Sequence, residues 1–536
     1  MGTYKTEALQ RFQRHLPAVL VGIAAILAYL PALQNGFVLD DSPLVVENPY
    51  IKSWKYLPEM LSRDTWNISE PANYWRPVFS LSLALDYSLW GLNPLGFHLT
   101  NILLHAISTA LLFSLGRKLH GTTSAVCAAL LFALHPIQAH AVSVISTRAD
   151  LLAVVFTLIS LQAFFSRRTV PFTIMLMLAL LSKETSMVLP IALLFAGLVI
   201  KREKPDLRLI LAFAILGIYL LIRLSLGFSF SLIPLIFSYN ASTTGRLLLV
   251  FKVLALYFLA IFDLFEMPHP FWTVEIPNSL VDPYVITGIL ILLSLLVVIW
   301  GSVKRNTVIA FGLMWFIIYF LPISNLKQLN QPMAEHWLYM PMVGLSLAFG
   351  TAIGALSLFR FSGARILRLG ITTTVIVFLF FAVLVVTEKT KVYRNDESFL
   401  TAAIRANPHI AGLYSLLGNV YFVKENFPRA EGLYVQSLTL DPGDFVANYM
   451  LGQLLYLEGR PEEAKIYLER IIRVKPALKL EFYPVAHAWE MLGDRQRALF
   501  YYRKALDISP DAVEIKEKVA ALQKSLPSGA AVSVAP

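Results

Sequence analysis

The chain has 536 residues, of which 57% are hydrophobic and 15% are charged, and its net charge is +10. Soluble domains carry about a quarter charged residues, so this composition excludes a purely soluble protein and makes lipid part of its surroundings. The basic residues stand in short clusters between apolar runs, as membrane orientation requires, so the positive charge does not indicate nucleic-acid binding. Cys127 is the single cysteine and cannot form an internal disulfide.

The N-terminal segment carries Lys5, Arg11 and Arg14 ahead of an apolar run at 16–33. Residues 33–37 lack the small-x-small pattern of a signal-peptide cleavage site, which favours an uncleaved first span. Further runs follow, some shorter than the roughly 20 residues of a straight span. The predicted spans are 16–34, 97–115, 121–135, 151–165, 170–182, 187–200, 207–226, 283–302, 307–322, 338–358 and 369–387.

Basic clusters orient these 11 predicted spans, because cationic loops stay in the cytoplasm. Every cluster falls on one side if alternate loops are external, with a cytoplasmic N-terminus and an external C-terminus. An apolar segment at 247–265 would break this order if it crossed, so we interpret it as interfacial or re-entrant. Large external loops are then predicted at 35–96 and 227–282. The clusters are Lys5/Arg11/Arg14, Arg117/Lys118, Arg167/Arg168, Lys201/Arg202/Lys204, Lys304/Arg305 and Arg360/Arg365/Arg368.

The first external loop begins with two adjacent carboxylates, Asp40 and Asp41. Such a pair can hold a divalent cation, Mg²⁺ or Mn²⁺, or act as a general base. It can equally cap a helix or form a solvated turn. The sequence has no Walker loop, nucleotide-binding glycine fingerprint or zinc-type Cys/His spacing, so no nucleotide or redox cofactor is expected.

Ionisable residues at membrane depth are costly and are usually functional or paired. Four such residues, His135, His140, Arg148 and Asp150, lie between two apolar runs. The simplest interpretation is that Arg148 and Asp150 neutralise each other and that His135 marks a helix end.

Lys183 and Glu184 interrupt the apolar stretch 170–200, and Glu335 and His336 open another span from the external side. Either each pair is a self-contained turn at the interface, or its charges meet a substrate. A cation such as Lys183 pairs well with the phosphate of a lipid. Both interpretations stay open on the residues alone.

The sequence after about residue 389 repeats with a period of 34. This period, with alanine in the second helix and proline at the repeat end, is typical of tetratricopeptide repeats. Three repeats and a capping helix are near the minimum for a stable stack. The predicted domains are a membrane domain at 1–390, a connecting helix at 391–407, repeats with their cap at 408–524, and a disordered tail at 525–536. The repeating residues are Pro408, Pro442, Pro476 and Pro510, Ala430, Ala464 and Ala498, and Leu438, Ile472 and Leu506.

A series of short motifs occurs in a fixed order ahead of the repeats: NGFVLDD at 35–41, YWRP at 74–77, NPLGFHLTN at 93–101, HPIQ at 135–138, TRADL at 147–151, LSKE at 181–184 and AEHWLYMP at 334–341. Over nearly the whole chain this order resembles the TMTC family of transmembrane and tetratricopeptide-repeat O-mannosyltransferases. It is more distantly similar to the GT-C glycosyltransferase fold. The resemblance implies an all-α fold, a polytopic helical bundle followed by an α-solenoid.

The resemblance also implies a function. Enzymes of that class transfer a sugar from a polyprenyl-phosphate carrier to an acceptor hydroxyl on the non-cytoplasmic face, with inversion at the anomeric carbon. Asp40 or Asp41 would then be the catalytic base or a metal ligand, and Arg148 and Lys183 would hold the lipid phosphate. The resemblance assigns the rest of the substrate cavity to Arg76, His135, Asp150, Glu184, Glu335 and His336.

The sequence departs from the family pattern in two ways. The array has only three repeats, and His336 stands where the family would have arginine. The histidine leaves the role of position 336 open. The short array and the compact loops suggest a bacterial-like member that uses undecaprenyl phosphate, with a protein or peptide acceptor in the repeat groove. The alternatives are a non-catalytic membrane scaffold for protein–protein interaction and a transporter. A transporter predicts inverted repeats and mid-membrane charges, which the sequence lacks.

Overall fold

The computed structural model describes residues 2–66, 73–204, 206–228, 242–263, 272, 274–357, 364–473, 482–508 and 512–525. These residues are helical or irregular, and no strand occurs among them. They divide into two compact units: a helical bundle comprising Met1–Thr65 and Asn73–Asn395, and a second unit that contains Asp396–Pro536. The predicted all-α fold class is confirmed. The predicted tail after Ser525, Pro476, Pro510, Arg360 and much of the predicted loop 227–282 lie outside the described residues.

The bundle is built from apolar helices joined by short polar turns. Its α-helices are α1 (Gly2–Tyr29), α2 (Leu57–Ser62), α3 (Pro77–Trp90), α4 (Pro94–His120), α5 (Thr122–Leu134), α6 (Ala139–Ser143), α7 (Arg148–Phe165), α8 (Thr169–Ser182), α9 (Leu189–Ala196), α10 (Leu207–Ser225), α11 (Thr243–Phe262), α12 (Pro283–Arg305), α13 (Thr307–Phe320), α14 (Tyr339–Ser357) and α15 (Ala364–Val392).

Every predicted span coincides with one of these helices. Among the described residues, eight helices are long and apolar enough to cross a membrane, or nine if α5 and the bent segment after it count as one span. That segment turns by 49° at His135, because Pro136 cannot donate to the helix ladder. α8 and α13 are shorter apolar helices. The exact number of 11 spans stays a prediction.

The bundle has two ends of different character. The polar end holds residues 35–41, 135–150, 183–184, 323–339 and 389–394, and the basic end holds residues 117–121, 166–169, 201–208 and 304–307. At the polar end, the backbone N–H of Gly36 donates to the carbonyl of Arg394 (2.9 Å) and ties the loop after α1 to the end of α15. At the basic end, the Lys118 Nζ donates to the Ser166 hydroxyl (2.8 Å) and joins α4 to α7.

Helix α11 is the segment predicted to be interfacial or re-entrant. It is long and apolar enough to cross, yet its polar contacts are with residues at or near the polar end. Arg246 reaches Gln328 (3.4 Å), and the backbone of Ile261 hydrogen-bonds with His135. Between them, Lys252 pairs with Asp282 (3.0 Å), the N-cap of α12. These contacts support the re-entrant interpretation, which stays a prediction.

Small residues allow the central helices to approach closely, as is usual where membrane helices pack. A Cβ placed on Gly312 of α13 would lie 2.4 Å from the Gly344 carbonyl oxygen of α14. On the other side of α14, a Cβ on Gly350 would lie 2.3 Å from the Ala128 nitrogen of α5. The three helices α5, α13 and α14 therefore form a tight spine, and the turn before α14 (Glu335–Leu338) places Glu335 and His336 at the polar end.

The predicted external loop 35–96 is largely structured. It contains short helical turns at Ser42–Val46, Tyr50–Lys52 and Trp54–Tyr56 in addition to α2 and α3. Trp75 anchors it, because its buried indole stacks on Tyr219 (5.5 Å between centroids) and donates to the Leu61 carbonyl (2.8 Å). A loop anchored in this way can hold Arg76, the next residue, in a fixed position.

The second unit is a stack of helix pairs. After α16 (Asp396–Ala406) come α17 (Ala411–Val423) and α18 (Phe427–Leu440), α19 (Phe445–Leu457) and α20 (Pro461–Arg473), α21 (Phe482–Met491) and α22 (Arg495–Ile508), and the final α23 (Val513–Ser525).

The repeat residues have the roles that the period predicts. Ala430, Ala464 and Ala498 are fully buried where paired helices touch. The turns inside the pairs use positive φ angles, at Gly459 (77°), Gly493 (84°) and, at the equivalent position, Glu425 (58°). Glycine adopts this region without strain, so its recurrence at the repeat turn is explained.

Candidate functional site

The polar end collects side chains from six separate parts of the bundle. The loop after α1 contributes Asp40 and Asp41, and the residue before α3 is Arg76. Helix α6 with the start of α7, the α8–α9 connection, the turn before α14 and the end of α15 bring the remaining residues. We call this group the polar cluster: Asp40, Asp41, Tyr74, Arg76, His140, Asp150, Lys183, Glu184, Glu335, His336, Lys389 and Tyr393.

The two adjacent aspartates have different environments. Asp41 is fully buried, and its oxygens accept from the backbone N–H groups of Val38 (3.1 Å) and Ser146 (2.7 Å). It therefore fastens the loop after α1 to the segment before α7. Asp40 is exposed, and the residue before it, Leu39, has a φ of 43°, a left-handed conformation that a leucine rarely adopts. Of the two carboxylates, Asp40 is the one that a ligand can reach.

The pKa values of both carboxyl groups are raised above the ordinary range. Although solvent reaches Asp40, protein surrounds it closely, and this burial together with the nearby charge of Asp41 raises its pKa to about 7. Burial raises the pKa of Asp41 to about 6, against the hydrogen bonds from Val38 and Ser146 that favour its charged form. A carboxyl group with a pKa near neutrality is well matched to proton transfer.

Arg76 and Glu184 form a two-pronged ion pair. Nε of Arg76 donates to Oε2 of Glu184 (2.9 Å), and Nη2 donates to Oε1 (2.5 Å). The guanidinium also stacks on the Tyr74 ring, 4.4 Å from its centroid, and Tyr74 is within electrostatic range of Asp40. The pair is only partly buried, with 12% and 19% of the two side chains exposed, so it lies where a substrate can approach.

Lys183 pairs with Asp150 and not with its neighbour in sequence. Its Nζ donates to both carboxylate oxygens (2.6 and 2.5 Å), and both side chains are almost fully buried. Of the two interpretations left open for Lys183 and Glu184, the self-contained turn is therefore excluded, because each residue reaches a different partner. The Arg76–Glu184 pair is within electrostatic range of Asp150, so the two ion pairs are neighbours.

The predicted neutralisation of Arg148 by Asp150 is also wrong. Arg148 is fully buried and pairs with Asp86 of α3 (2.7 Å). Its Nε donates to the Asn101 side chain (2.7 Å), and its Nη2 donates to the Phe97 carbonyl (2.9 Å). Arg148 thus joins α3, α4 and α7 from inside the bundle. A side chain enclosed in this way cannot reach a lipid phosphate, which removes Arg148 from the predicted phosphate-binding residues.

The two predicted histidines have different neighbours at the polar end: His336 is within electrostatic range of Lys183, and His135 is within range of Lys389. The His336 ring meets His140 edge-on (4.7 Å between centroids), and His140 stacks on Tyr393 (5.0 Å). His135 ends α5 as predicted, and its Nδ1 accepts from the backbone N–H of Ile137 (3.2 Å). Its role is that of a helix cap.

A cation missed by the sequence analysis stands near the position where arginine was expected. Lys389 of α15 is buried, and its Nζ lies 3.9 Å from Glu335. Its position was hidden because it falls where the composition changes towards the repeats. Asp86 was missed because it stands alone in an apolar segment, and Tyr393 because it falls in the same change of composition as Lys389.

No metal or cofactor site follows from the geometry. Within the described ranges, no group of three or more His, Cys, Asp or Glu side chains is placed to hold a metal ion. The divalent cation at Asp40 and Asp41 stays a prediction.

The apolar helices and the repeat stack define a multi-pass membrane protein with a C-terminal tetratricopeptide domain. The tetratricopeptide repeat model matches residues 446–478 and 490–512. The chain is 26% identical to a protein O-mannosyl-transferase of Caenorhabditis elegans over 79% of its own length, and 37% identical to protein O-mannosyl-transferase Tmtc1 of Drosophila melanogaster over 34%. It is 33% identical to protein O-mannosyl-transferase TMTC4 of Homo sapiens over 26%.

These matches confirm the resemblance to the TMTC-type proteins. The chain spans 62% of the length of the Caenorhabditis elegans relative and 22% of the length of Tmtc1 and of TMTC4. Among solved structures, the crystal structure of ArnT from Cupriavidus metallidurans bound to undecaprenyl phosphate matches 87% of this chain and 82% of its own, at 15% identity. Its TM-score is 0.38, which is too low for the likeness to carry an argument.

Proposed function

We propose that the chain is a glycosyltransferase that moves a hexose, mannose by similarity to its relatives, from a polyprenyl-phosphate carrier to an acceptor hydroxyl. The observation that carries this proposal is the polar cluster. An accessible carboxyl group with a raised pKa, Asp40, shares one end of a membrane bundle with two cations, Arg76 and Lys183. A scaffold has no need of such a group.

The chemistry follows from these charges. The acceptor hydroxyl oxygen forms a bond to the anomeric carbon while the bond from that carbon to the carrier phosphate breaks. Asp40 takes the hydroxyl proton, as a general base with a pKa near the working pH does. Arg76 and Lys183 stabilise the charge that builds on the leaving phosphate, since guanidinium and ammonium groups bind phosphate oxygens strongly. One-step displacement inverts the anomeric carbon.

Arg76 has the geometry that a phosphate requires. Its two donors already hold two oxygens of Glu184 side by side, and phosphate oxygens can be bound in the same bidentate way. The Tyr74 ring under the guanidinium fixes its plane. In this proposal Arg148 is a structural residue, and Glu335 and His336 border the sugar.

The proposal includes the acceptor and the side of the membrane. We infer a protein acceptor, modified on serine or threonine, because tetratricopeptide stacks offer a groove for peptides. We place the polar end on the non-cytoplasmic face because the loops of the basic end carry the cationic clusters. The carrier in this proposal is undecaprenyl phosphate if the chain is bacterial.

The decisive experiment measures transfer of labelled sugar from polyprenyl-phosphate donors in membranes that contain the full chain. We expect transfer to depend on Asp40, and we expect the product on the non-cytoplasmic side of sealed vesicles. A folded chain that transfers no sugar from any donor, yet still binds peptides through its repeats, would establish the scaffold function.

Transfer is expected to rise with pH through about 7 and to level off above it. Asp40 has a raised pKa, so it is protonated and inactive as a base below that value, and the carboxylate forms above it. The measurement is the initial transfer rate at low donor concentration between about pH 5.5 and 8.5. A flat profile in the wild type would contradict the role of Asp40 as the base.

Replacing the Lys183–Asp150 pair by Lys183→Met/Asp150→Leu is expected to weaken binding of the carrier phosphate about 10- to 100-fold, the effect of losing a charged hydrogen bond. Removing both charges of a buried pair leaves no unpaired ion, so the fold should persist. Binding of polyprenyl phosphate to purified protein is the measurement, with Lys118→Met as an exposed control. Unchanged affinity in the double variant would show that Lys183 is only structural.

A further inference from the structure

A groove opens at the basic end, on the opposite side of the bundle from the polar cluster. It lies between the C-terminal end of α7, the C-terminal end of α9 with its continuation to Lys201, and the start of α10. It is shallow and open to the outside. We call it the basic groove. Phe164, Leu193, Leu198 and Leu209 form its apolar wall. Its charged lining is Lys201 and Lys204 together with the carboxylates Glu203 and Asp206.

Two cations are fixed on one side of this groove. Lys201 Nζ (3.2 Å) and Arg208 Nη1 (2.6 Å) both donate to the carbonyl oxygen of Phe164. Both also lie over the Phe164 ring, at 4.9 and 5.1 Å from its centroid. Each of these two cations also has a carboxylate beside it, Glu203 for Lys201 and Asp206 for Arg208.

The loops around the groove have more positive charge than their own carboxylates neutralise. Glu203 is shared by Arg167 (2.5 Å) and Lys201 (3.9 Å), and Asp206 pairs with Arg208. Arg168, Arg202 and Lys204 form no ion pair with any residue that the structure describes, and all three are exposed. The two loops hold six cations, Arg167, Arg168, Lys201, Arg202, Lys204 and Arg208, against those two carboxylates.

In each of the two loops, an arginine has a left-handed backbone conformation that glycine would adopt more easily. Arg167 has a φ of 57° and Arg202 a φ of 53°, in the left-handed region that glycine adopts without steric cost. Strained residues of this kind often mark a binding site. Here the strain keeps a cation at each turn.

The surface beside the cations is apolar and exposed. Val170, Leu198, Leu207 and Ile210 expose between 52% and 70% of their surface within a few residues of the charges. The cations can bind the phosphate of an anionic phospholipid. The apolar wall and the exposed apolar side chains beside it can contact the first carbons of its acyl chain. A soluble anion would match the charges only.

We propose that the basic groove binds one anionic glycerophospholipid from the leaflet at the basic end. Its phosphate lies between Lys201 and Lys204, and its acyl chain follows Leu198 and Leu209. Such a lipid would cover the exposed charge around Phe164 and hold α7, α9 and α10 together. This site is separate from the polar cluster and does not depend on the proposed transferase activity.

The test is native mass spectrometry of the full chain purified in the presence of equal amounts of phosphatidylglycerol and phosphatidylcholine. We expect one phosphatidylglycerol to remain bound, with a preference of about tenfold over phosphatidylcholine, since each nearby cation contributes about 1 kcal/mol towards an anionic lipid. Inorganic phosphate at millimolar concentration should not displace it. Displacement by inorganic phosphate, or equal retention of the two lipids, would overturn the proposal.

Two variants and one control locate the site. Lys201→Gln/Lys204→Gln should remove the preference, and Gly197→Leu should remove it without changing any charge, because Gly197 lines the groove and its Cβ would lie 3.8 Å from the Phe164 ring. The control, Lys304→Gln/Arg305→Gln, removes two exposed cations from the same end and should keep the bound lipid. A control that loses as much lipid as the groove variants would overturn the proposal in favour of a general surface attraction.

Discussion

Replacement of Asp40 by asparagine is expected to lower sugar transfer about 100- to 10,000-fold, the usual contribution of a general base. Asparagine has nearly the same shape but cannot accept the hydroxyl proton. Asp40 is exposed, and its carboxyl group makes no ion pair with the described residues, so the fold should not depend on its charge. Donor binding and the unfolding temperature should therefore stay close to those of the wild type.

The matched control for this variant is Glu47→Gln, which removes an exposed carboxylate from the same loop and should leave transfer unchanged. Asp41→Asn serves a second purpose. Asp41 is buried and accepts two backbone N–H groups, so this change should lower stability in addition to activity. If Asp40→Asn kept more than about a tenth of the wild-type rate, another residue would have to be the base.

Arg148→Met is expected to destabilise the bundle by about 3–5 kcal/mol, because breaking a buried ion pair leaves its partner charged and unpaired. Here the partner is Asp86, which is 3% exposed. Asn101 and the carbonyl of Phe97 would also lose their donors. The expected result is a marked fall in the unfolding temperature and in the amount of folded protein in the membrane.

A companion variant separates structure from substrate binding. Arg148→Met/Asp86→Leu removes both charges and should recover part of the lost stability, and the recovered protein should bind polyprenyl phosphate as the wild type does. The exposed Arg305→Met at the basic end should change neither property. A stable Arg148→Met protein that had lost only donor binding would restore the phosphate-binding role predicted from the motifs.

The sequence was most informative where a pattern repeats. The 34-residue period predicted the repeat helices and the turn positions Gly459 and Gly493, which have positive φ angles as expected. Apolar runs predicted the helices of the bundle, because lipid allows few alternatives to a helix. Basic clusters predicted which connections share an end, since alternate helices run in opposite directions.

Pairing within the polar cluster could not be predicted in the same way. Arg76 reaches Glu184 across 108 positions, and Lys183 reaches Asp150 across 33. The closeness of Arg148 and Asp150 in the sequence favoured an ion pair between those two residues instead. On a helix, however, residues two apart point to different sides, so Arg148 turns towards α3 and α4 while Asp150 turns towards Lys183. Which side chains form ion pairs depends on how the helices pack, and a local sequence pattern does not contain that information.

The ion pairs at the polar end bear on the choice of ligand. Arg76 and Lys183 each hold their own carboxylate before any substrate arrives, so a bound phosphate must displace or share an existing partner. Inorganic phosphate makes few other contacts that could compensate for the displaced ion pair, so it should bind to the site weakly. A phosphate that carries a long isoprenoid chain adds the burial of that chain in the bilayer. Ion pairs that form before the substrate binds would thus disfavour the binding of small competing anions. They would also help the carrier phosphate to dissociate after transfer.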